Sequence, residues 1–363
     1  MLLNKILPKG KKALLNKLFA PIYHWFKGYR YTVVLDACTE FHFEHIKPVI
    51  QQLALHSDIE VIVITPSGVS PAKNITFYKT IYDFPFFKTP DIFISTEFER
   101  KLPWFNCPSI YFGHGMGPKL NYQGSHKLEE CDFVFSPCAP IYDTQLAYLP
   151  KDRVIPLGMP ILDERTHQRE EIFKHFDLDQ KKPMIVYAPS WCIDITKISD
   201  INEISNFLAN QNSFNVIISP HPNLFNPKRC NGNVYFADNQ NTDFAINRPG
   251  GRFTSLDIVK TADIVISDIS SILFEAMALE KVILFDGNKD IYEYCEALSI
   301  YEQLINICYI PNWKNTADKS LIDLLSTDPL KSARAAFIEQ YLFNNGKASN
   351  AFVAATLKIL QKP

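Results

Sequence analysis

Short apolar runs alternate along this chain with longer segments in which apolar residues recur at helical spacing. Continuous apolar runs are typical of strands that are buried on both faces of a parallel sheet. The first series of predicted strands comprises 31–37, 60–65, 91–95, 108–112, 131–136 and 154–157, with a predicted helix at 43–56. This order predicts an α/β domain whose parallel sheet is covered by helices on both faces.

A second series of the same kind follows a charged segment at 162–182. Its predicted strands are 183–191, 214–219, 233–236, 264–266 and 281–285, and its predicted helices are 199–210, 256–260, 318–325 and 331–360. A chain of 363 residues is also too long for one ordinary core. We therefore predict two facing Rossmann-like domains at 31–160 and 161–345, with a terminal helix at 346–363 that packs back on the first.

Residues 1–30 form a distinct N-terminal segment, because they carry seven basic residues and no acidic residue. Apolar and aromatic residues lie between the basic ones, which is typical of an amphipathic helix at an anionic membrane surface. Lysines interrupt the apolar residues, which argues against a signal peptide. The alternative is a helix docked on the protein with its basic face in solvent. Without this segment the chain carries −9, so the charge asymmetry is large.

Composition excludes several classes of function. A net charge of −2 disfavours a nucleic-acid binder, and no apolar run reaches the length of a membrane span. The eight cysteines form no CxxC pair and no metal-ligand spacing, so we expect small core residues in a reduced, cytosolic compartment. We predict neither a metal nor a cofactor for this chain.

The segment 261–279 is the strongest candidate for a ligand site. An apolar strand at 264–266 runs into Ser267, Asp268, Ser270 and Ser271, and a helical apolar pattern follows at once. Small polar residues at such a junction cap the helix, and capping alone is one interpretation. The free amides, the hydroxyl groups and the positive helix end also favour an anion. We therefore predict a diphosphate site here.

A glycine-rich loop follows the predicted strand at 108–112. It contains Gly113, His114, Gly115, Gly117 and Lys119. Glycines allow the backbone to approach a ligand closely, and a histidine suits proton transfer near neutrality. Lys119 adds a positive charge nearby in sequence. His114 is therefore the candidate general base, against the alternative of a structural or merely exposed loop histidine.

Two further loops at strand ends carry candidate ligand contacts. Pro220 and Pro222 fix the backbone around His221, which suits a histidine that contacts a ligand, although an incidental turn residue is the alternative. The other loop contains Pro189, Ser190 and Trp191. In open α/β sheets ligands bind beyond the carboxyl ends of the strands, so two facing domains would bring these loops to one cleft.

The chain resembles the CDP-glycerol glycerophosphotransferase family, which includes the teichoic-acid primases and polymerases. The residues that carry the resemblance are His114-Gly115 with Lys119, Tyr187–Trp191, His221-Pro222, Ser267–Ser271 and Phe274-Glu275. They occur in family order over roughly 105–290, and together they are fairly specific. Three positions depart from the family pattern, since Met116, Cys192 and Ile269 stand where Thr, Arg and Tyr are common. These departures bear on the donor polyol and the acceptor more than on the reaction class.

The resemblance implies a GT-B type fold, an N-terminal acceptor domain and a C-terminal donor domain. It implies transfer of a polyol phosphate, most simply glycerol phosphate, from a CDP-activated donor to a hydroxyl in teichoic-acid-like or capsule synthesis. His114 matches the family's base and His221 a ligand of the donor phosphates. Ser267, Asp268, Ser270, Ser271 and Lys119 are the predicted phosphate site, and Pro189, Ser190 and Trp191 the remaining donor contacts. The expected acceptor is lipid-linked or an oligosaccharide, and the expected location is the inner face of the cell membrane.

Other functions remain open from the sequence. One is a GT-B glycosyltransferase that uses a UDP- or CMP-sugar, and a more distant one is a nonhydrolysing sugar-nucleotide epimerase. A third, of a different class, is a catalytically silent scaffold docked on the membrane. Release of nucleotide from a panel of donors separates the enzymes from the scaffold and from one another.

Overall fold

The computed structural model describes residues 14–15, 18–19, 22–23, 28–66, 75–85, 88–97, 107–113, 115–164, 168–191, 201–230, 244–314, 316 and 318–361. Three predictions lie largely or wholly outside these residues: the N-terminal segment, the strand at 233–236 and the conformation of His114. The chain forms two compact units. The first contains 1–115, 123–164 and 342–363, and the second contains 116–122 and 165–341.

The first unit is built on seven parallel strands in the order β3-β2-β1-β4-β5-β6-β7. They are β1 (Tyr31–Asp36), β2 (Ile59–Ile64), β3 (Ile75–Tyr78), β4 (Ile92–Ser95), β5 (Ser109–Tyr111), β6 (Phe133–Ser136) and β7 (Val154–Pro156). Val33 and Leu35 belong to one buried cluster and Val34 to another, because successive side chains of a strand point to opposite faces. Both faces of β1 are therefore buried.

Helices cover this sheet and supply the rest of its core. They are α1 (Glu40–Leu53), α3 (Ala139–Leu146) and α12 (Ala348–Leu360), and a short helix α2 (Leu120–Gln123) lies at the boundary of the two units. Phe352 of α12 makes edge-to-face ring contacts with Phe112 at 5.6 Å and Phe135 at 5.0 Å. The chain terminus is thus part of the core of the first unit.

The second unit is built on five parallel strands in the order β10-β9-β8-β11-β12. They are β8 (Met184–Ala188), β9 (Asn215–Ile218), β10 (Ala245–Ile246), β11 (Ile264–Ser267) and β12 (Val282–Phe285). The helices of this unit are α4 (Arg169–His175), α5 (Ile201–Ala209), α6 (Ser255–Thr261), α7 (Ser271–Ala278), α8 (Lys289–Tyr294), α9 (Leu298–Ile307), α10 (Asp318–Thr327) and α11 (Lys331–Tyr341). β8 lies at the centre of the sheet and is fully buried.

The α/β prediction with parallel sheets is confirmed, and several elements differ from their predicted form. β3 and β10 were not predicted, because β3 is only half-buried along its length and β10 has two residues. α8 and α9 were also missed. The helix predicted over 331–360 is wrong as one element, since it divides into α11 and α12. Asn344 and Gly346 adopt positive φ values of 44° and 73° between them, and this left-handed backbone cannot continue a helix.

The described residues of the N-terminal segment are helical at 14–15, 18–19 and 22–23. Leu14, Leu18, Phe19 and Ile22 are all at least 45% exposed, at the spacing of one helix face. Tyr23 donates a hydrogen bond to the Glu60 carboxylate. In the part of the chain that the structure describes, no helix is both long and apolar enough to cross a bilayer.

Candidate functional site

Three predicted loops lie side by side at the carboxyl edge of the second sheet. β8 is the central strand, and β9 and β11 pair with it on either side. The segments that leave these strands are 189–191, 219–223 and 268–270, so neighbouring strand ends deliver the candidate residues together. Parallel sheets of this kind bind ligands at this edge.

Asp268 holds two of these loops together. Its carboxylate is 2% exposed and accepts the amide N–H of Ser190 at 2.9 Å and that of Ser270 at 3.2 Å. Its backbone carbonyl accepts the Tyr292 hydroxyl at 3.2 Å. A buried carboxylate that already accepts amides suits a positioning role, which is the alternative to the direct contact predicted for Asp268; the direct contact stays a prediction.

The three serines of the segment occupy different positions. The Ser267 hydroxyl is 0% exposed and donates to the carbonyl of Ala188 at 2.8 Å, which braces β11 against β8 and leaves no hydroxyl for a ligand. Ser270 is the N-cap of α7, and its side chain accepts the N–H of Ile272 at 3.4 Å. Ser270 and Ser271 are both half-buried. The helix start with these two hydroxyls therefore remains the candidate anion site.

Residues 116–122 bring Lys119 to the same edge. The Lys119 ammonium donates to the Ser190 hydroxyl at 3.0 Å and to the Trp191 carbonyl at 3.3 Å. The segment is held at its other end by the Tyr341 hydroxyl, which donates to the Met116 carbonyl at 2.8 Å. This places a positive charge beside the loop after β8, within the second unit.

Gly117 lies against the start of α7. A Cβ atom at this position would be 3.0 Å from the Ser271 nitrogen and 3.3 Å from its Cα. Both neighbours are backbone atoms at a packed helix end, so they cannot rotate away as a flexible side chain would. The glycine is therefore required by close approach rather than by a left-handed conformation.

We expect Gly117→Ala to weaken donor binding about tenfold, because the segment must shift by a few tenths of an ångström and move Lys119 with it. Isothermal titration with CDP-glycerol measures this directly. Gly28→Ala is the matched control, since a Cβ there meets nothing within 4 Å. Equal donor affinities in both variants would contradict the tight packing at Gly117.

His221 is fixed by its backbone neighbours and by Trp191. Its amide donates to the Pro189 carbonyl at 3.1 Å, and its Nδ1 accepts the amide of Asn223 at 3.1 Å. The His221 and Trp191 rings are stacked, with centroids 5.9 Å apart and an interplanar angle of 21°. Since Nδ1 accepts a hydrogen bond, the proton of the neutral ring lies on Nε2, where it can be donated to a ligand.

Burial, followed by the nearby charge of Lys119, lowers the pKa of His221 to about 4. The imidazole is therefore neutral at physiological pH in the unliganded protein. A bound diphosphate would offset the Lys119 charge and raise this pKa. In this state His221 is a hydrogen-bond donor to the ligand rather than a fixed cation.

Glu275 lies one turn after Ser271 on α7 and was quoted in the sequence motif but not assigned a role. It is 3% exposed, and its carboxylate accepts a hydrogen bond from the Ser271 side chain. Burial raises the pKa of Glu275 to about 7, although the Ser271 hydrogen bond and the Lys260 charge oppose the shift. Its protonation state therefore sets which way the Ser271 hydroxyl points, at the end of the helix where the anion is expected.

Between the ordinary glutamate pKa of 4.5 and about 7, we expect Glu275 to make the free energy of unfolding fall as pH rises, whereas the lowered pKa of His221 makes it rise between about 4 and 6.5. The folded state holds a proton on Glu275 that the unfolded chain has already released over this range. Chemical denaturation at several pH values measures the slope. Glu275→Gln should remove the falling contribution and leave the rise that His221 causes, and an unchanged slope in this variant would contradict the assignment.

The remaining predicted residues belong to the first unit. Gly113 follows β5 with a φ of +73°, a conformation that favours glycine. Gly115 is half-buried, and His114 lies outside the described residues. The structure thus brings Lys119, Gly117, Pro189, Ser190, Trp191, His221, Ser270 and Ser271 together in the second unit. The roles predicted for these residues and for His114 stay predictions.

Sequence reasoning missed the linking roles of Asn223, Glu275 and Tyr292. Asn223 donates its backbone amide to His221, and any residue other than proline offers such an amide, so the residue type gave no signal. Glu275 has helical spacing from Ser271, which puts both on one face. Tyr292 gave no such signal, since it reaches Asp268 from a helix 24 residues later.

Comparison with known proteins supports the fold and the family. The chain is similar to the wall teichoic acid polymerase TagF, with 16% identity, 97% of this chain and 94% of that chain covered, and a TM-score of 0.60, or 0.67 for a TagF variant. It is also similar to the UDP-GlcNAc 2-epimerase from Neisseria meningitidis bound to UDP-GlcNAc, at 16% identity and a TM-score of 0.54, with 90% of this chain and 100% of that chain covered. These likenesses support the predicted GT-B type fold. No curated protein sequence matches significantly.

The family profile of the CDP-glycerol:poly(glycerophosphate) glycerophosphotransferases matches residues 121–358. The match includes Trp191, His221 and the start of α7, whereas His114 and Lys119 precede it. It covers well over half of the chain and most of the second unit. The chain therefore belongs to the CDP-glycerol:poly(glycerophosphate) glycerophosphotransferase family and is an enzyme of that type.

Proposed function

We propose that this protein transfers glycerol phosphate from CDP-glycerol to a hydroxyl of a lipid-linked or oligosaccharide acceptor in the synthesis of a teichoic-acid-like or capsular polymer, and releases CMP. The observation that carries the proposal is the joint packing of Lys119, Ser190 and the start of α7 at one sheet edge. Family membership supplies the reaction class. A TagF structure soaked with CDPG further supports a CDP-linked donor.

The donor diphosphate suits the start of α7. Ser270, Ser271 and the helix dipole stabilise negative charge, and Lys119 adds a cation. The neutral His221 donates through Nε2 to a phosphate oxygen. The stacked rings of Trp191 and His221 offer a flat surface near the phosphates, which suits a ligand with an aromatic base.

His114 is the proposed base. It accepts the proton of the acceptor hydroxyl while that oxygen forms a bond to the phosphorus that carries the glycerol. The bond from this phosphorus to the bridging oxygen breaks, and the oxygen leaves with CMP. Phosphoryl transfer depends mainly on positioning and charge stabilisation, which hydroxyls, a lysine and a helix start can provide.

The donor is tested with a panel of CDP-glycerol, CDP-ribitol, a UDP-sugar and a CMP-sugar, each with a lipid-linked saccharide acceptor. We expect CMP release from CDP-glycerol above all others. UDP release from the UDP-sugar would instead identify a sugar-nucleotide enzyme. A chain that binds no nucleotide in a thermal-shift assay would be a scaffold, and either outcome overturns the proposal.

We also propose that the N-terminal segment binds the anionic inner face of the cell membrane, where such an acceptor would lie. Four apolar residues exposed at helical spacing and seven basic residues within 1–30 support this location. Co-sedimentation with vesicles that contain phosphatidylglycerol should exceed that with neutral phosphatidylcholine vesicles. Equal sedimentation with both vesicle types would contradict it.

A further inference from the structure

A cluster of three possible metal ligands lies in the first unit, away from the donor site described above. Cys38, His42 and Glu97 each offer one ligand atom, and these atoms all lie within 4.8 Å of one another. No metal-ligand spacing is visible along the chain, because Glu97 is distant from Cys38 in the sequence. Only the pairing of strands brings the three together.

The parallel pairing of β1 with β4 fixes this arrangement. Asp36 is the register partner of Ser95 at the carboxyl ends of the two strands. Cys38 lies two residues after Asp36, and Glu97 lies two residues after Ser95. The two residues therefore lie at the same level beyond the ends of neighbouring strands. His42 is on the first turn of α1, whose N-cap Thr39 accepts the His42 amide at 3.1 Å. The three side chains thus project from a rigid scaffold, as a metal site requires.

The three side chains are close enough to share one small ion after a modest adjustment, in which the Cys38 sulfur and the His42 nitrogen move a few tenths of an ångström apart. Cys38 Sγ is 2.9 Å from His42 Nδ1, and His42 Nε2 is 3.6 Å from Glu97 Oε1. Zinc bonds of about 2.3 Å to sulfur and about 2.1 Å to nitrogen and oxygen place tetrahedral ligands roughly 3.3–3.6 Å apart. Cys38 faces Nδ1 of His42 and Glu97 faces Nε2, so the Glu97 side chain, which is 39% exposed, must rotate for all three residues to share one ion. His42 itself is buried and fixed.

We propose that Cys38, His42 and Glu97 bind a zinc ion, with a fourth position open to water or to an oxygen ligand. A thiolate with an imidazole selects Zn²⁺ over Mg²⁺ or Ca²⁺, which prefer oxygen ligands alone. Three protein ligands with an open position are typical of sites that bind or activate a ligand rather than of closed structural sites. The ion would lie at the carboxyl edge of the first sheet, at the ends of β1 and β4, and β4 is the neighbour of β5, which Gly113 follows.

This cluster differs from an ordinary ion pair elsewhere in the same unit. His126 Nδ1 and Glu129 Oε1 are 2.8 Å apart, but both side chains are largely exposed and the pair includes no cysteine. The Cys38 cluster instead combines a buried imidazole with a half-buried thiol and a half-exposed carboxylate. The alternative for such a cluster is a metal-free pair of thiolate and imidazolium, in which His42 activates Cys38.

The test uses the full chain, freed of metal and titrated with ZnCl2 or CoCl2. We expect one Zn²⁺ per chain to survive desalting, and Co²⁺ to give a thiolate-to-metal charge-transfer band. Cys38→Ser and Glu97→Gln should each weaken Zn²⁺ binding at least tenfold, and Cys38→Ser should abolish the band. Cys107→Ser, at another half-buried free cysteine, and His126→Gln should change neither.

Two results would overturn the proposal. One is the absence of stoichiometric zinc, with Cys38 reacting rapidly with iodoacetamide at neutral pH, which would identify the metal-free pair. The other is equal zinc uptake by the Glu97→Gln, Cys38→Ser and unsubstituted chains. Circular dichroism shows whether each variant is folded. If Cys38→Ser does not fold, the zinc affinity of Glu97→Gln still tests the proposal. Because metal content is measured without any donor, its outcome is independent of the proposed transferase reaction.

Discussion

Replacing Asp268 by alanine should lower the free energy of unfolding by about 3 kcal/mol and weaken donor binding about a hundredfold. The substitution leaves the buried amide of Ser190 and the half-buried amide of Ser270 without the carboxylate that now accepts them, and each such loss costs up to about 1–3 kcal/mol. It also removes the link between the loops after β8 and β11. A displacement of about 1 Å in a positioned group can lower its contribution about 10²-fold. Denaturant unfolding and titration with CDP-glycerol measure the two effects.

Asp263 offers a matched control at the opposite end of the same strand. It precedes β11 and its carboxylate accepts the amide of Met184 at 2.7 Å, at the amino end of β8. Asp263→Ala removes a carboxylate that accepts a β8 amide in a comparable way, but far from the candidate loops. We expect it to lower stability by about 1–2 kcal/mol and to leave donor affinity unchanged. If both variants lose donor affinity equally, Asp268 acts only through global stability.

His114→Ala should lower turnover of CDP-glycerol about a hundredfold or more, if His114 removes the acceptor proton. The KM for CDP-glycerol should change little, because the donor contacts proposed above lie on other residues. The measurement is steady-state CMP release with a lipid-linked acceptor, over a range of pH. The limb of the pH–rate profile that reports a group near the ordinary histidine pKa should disappear in this variant.

His126→Ala is the control for this experiment, because His126 is exposed and its described contacts are an ion pair with Glu129 and a ring contact with Tyr148. It should retain the turnover and the pH profile of the unsubstituted enzyme. Near-normal CMP release by His114→Ala would remove His114 from the mechanism. The donor site around α7 would then need a base from elsewhere in the protein.

The hydrophobic pattern was sufficient to predict the class of the fold, because parallel strands buried on both faces carry continuous apolar runs. Val33, Val34 and Leu35 illustrate this, since consecutive apolar residues enter two different clusters on opposite faces. Edge strands are harder to predict, because β3 is half-buried and need not be apolar throughout. The break between α11 and α12 depends on backbone conformation at Asn344 and Gly346, which an amphipathic pattern does not encode.

For the candidate site, the sequence identified the loops but not the tasks of their residues. The sequence does not distinguish Ser267 from Ser270 and Ser271. In the structure, however, the Ser267 hydroxyl donates its hydrogen bond to the Ala188 carbonyl inside the sheet. Successive side chains of a strand point to opposite faces of the sheet, and the residue at which the strand ends decides which hydroxyl groups are accessible to solvent. The sequence predicted Asp268 as a ligand residue, and only the structure shows that its buried carboxylate accepts the amides of two neighbouring loops.

The sequence by itself determined which residue types stand at the ends of which strands, since local pattern and turn chemistry are encoded over a few neighbouring positions. Tertiary structure alone decided which of those ends are adjacent. The strand order placed β9 and β11 on either side of β8, and β4 beside β1, which joined His221 to Pro189 and Cys38 to Glu97. Such pairings join residues far apart along the chain, and the free energy that selects them comes from the packing of whole sheets and helices.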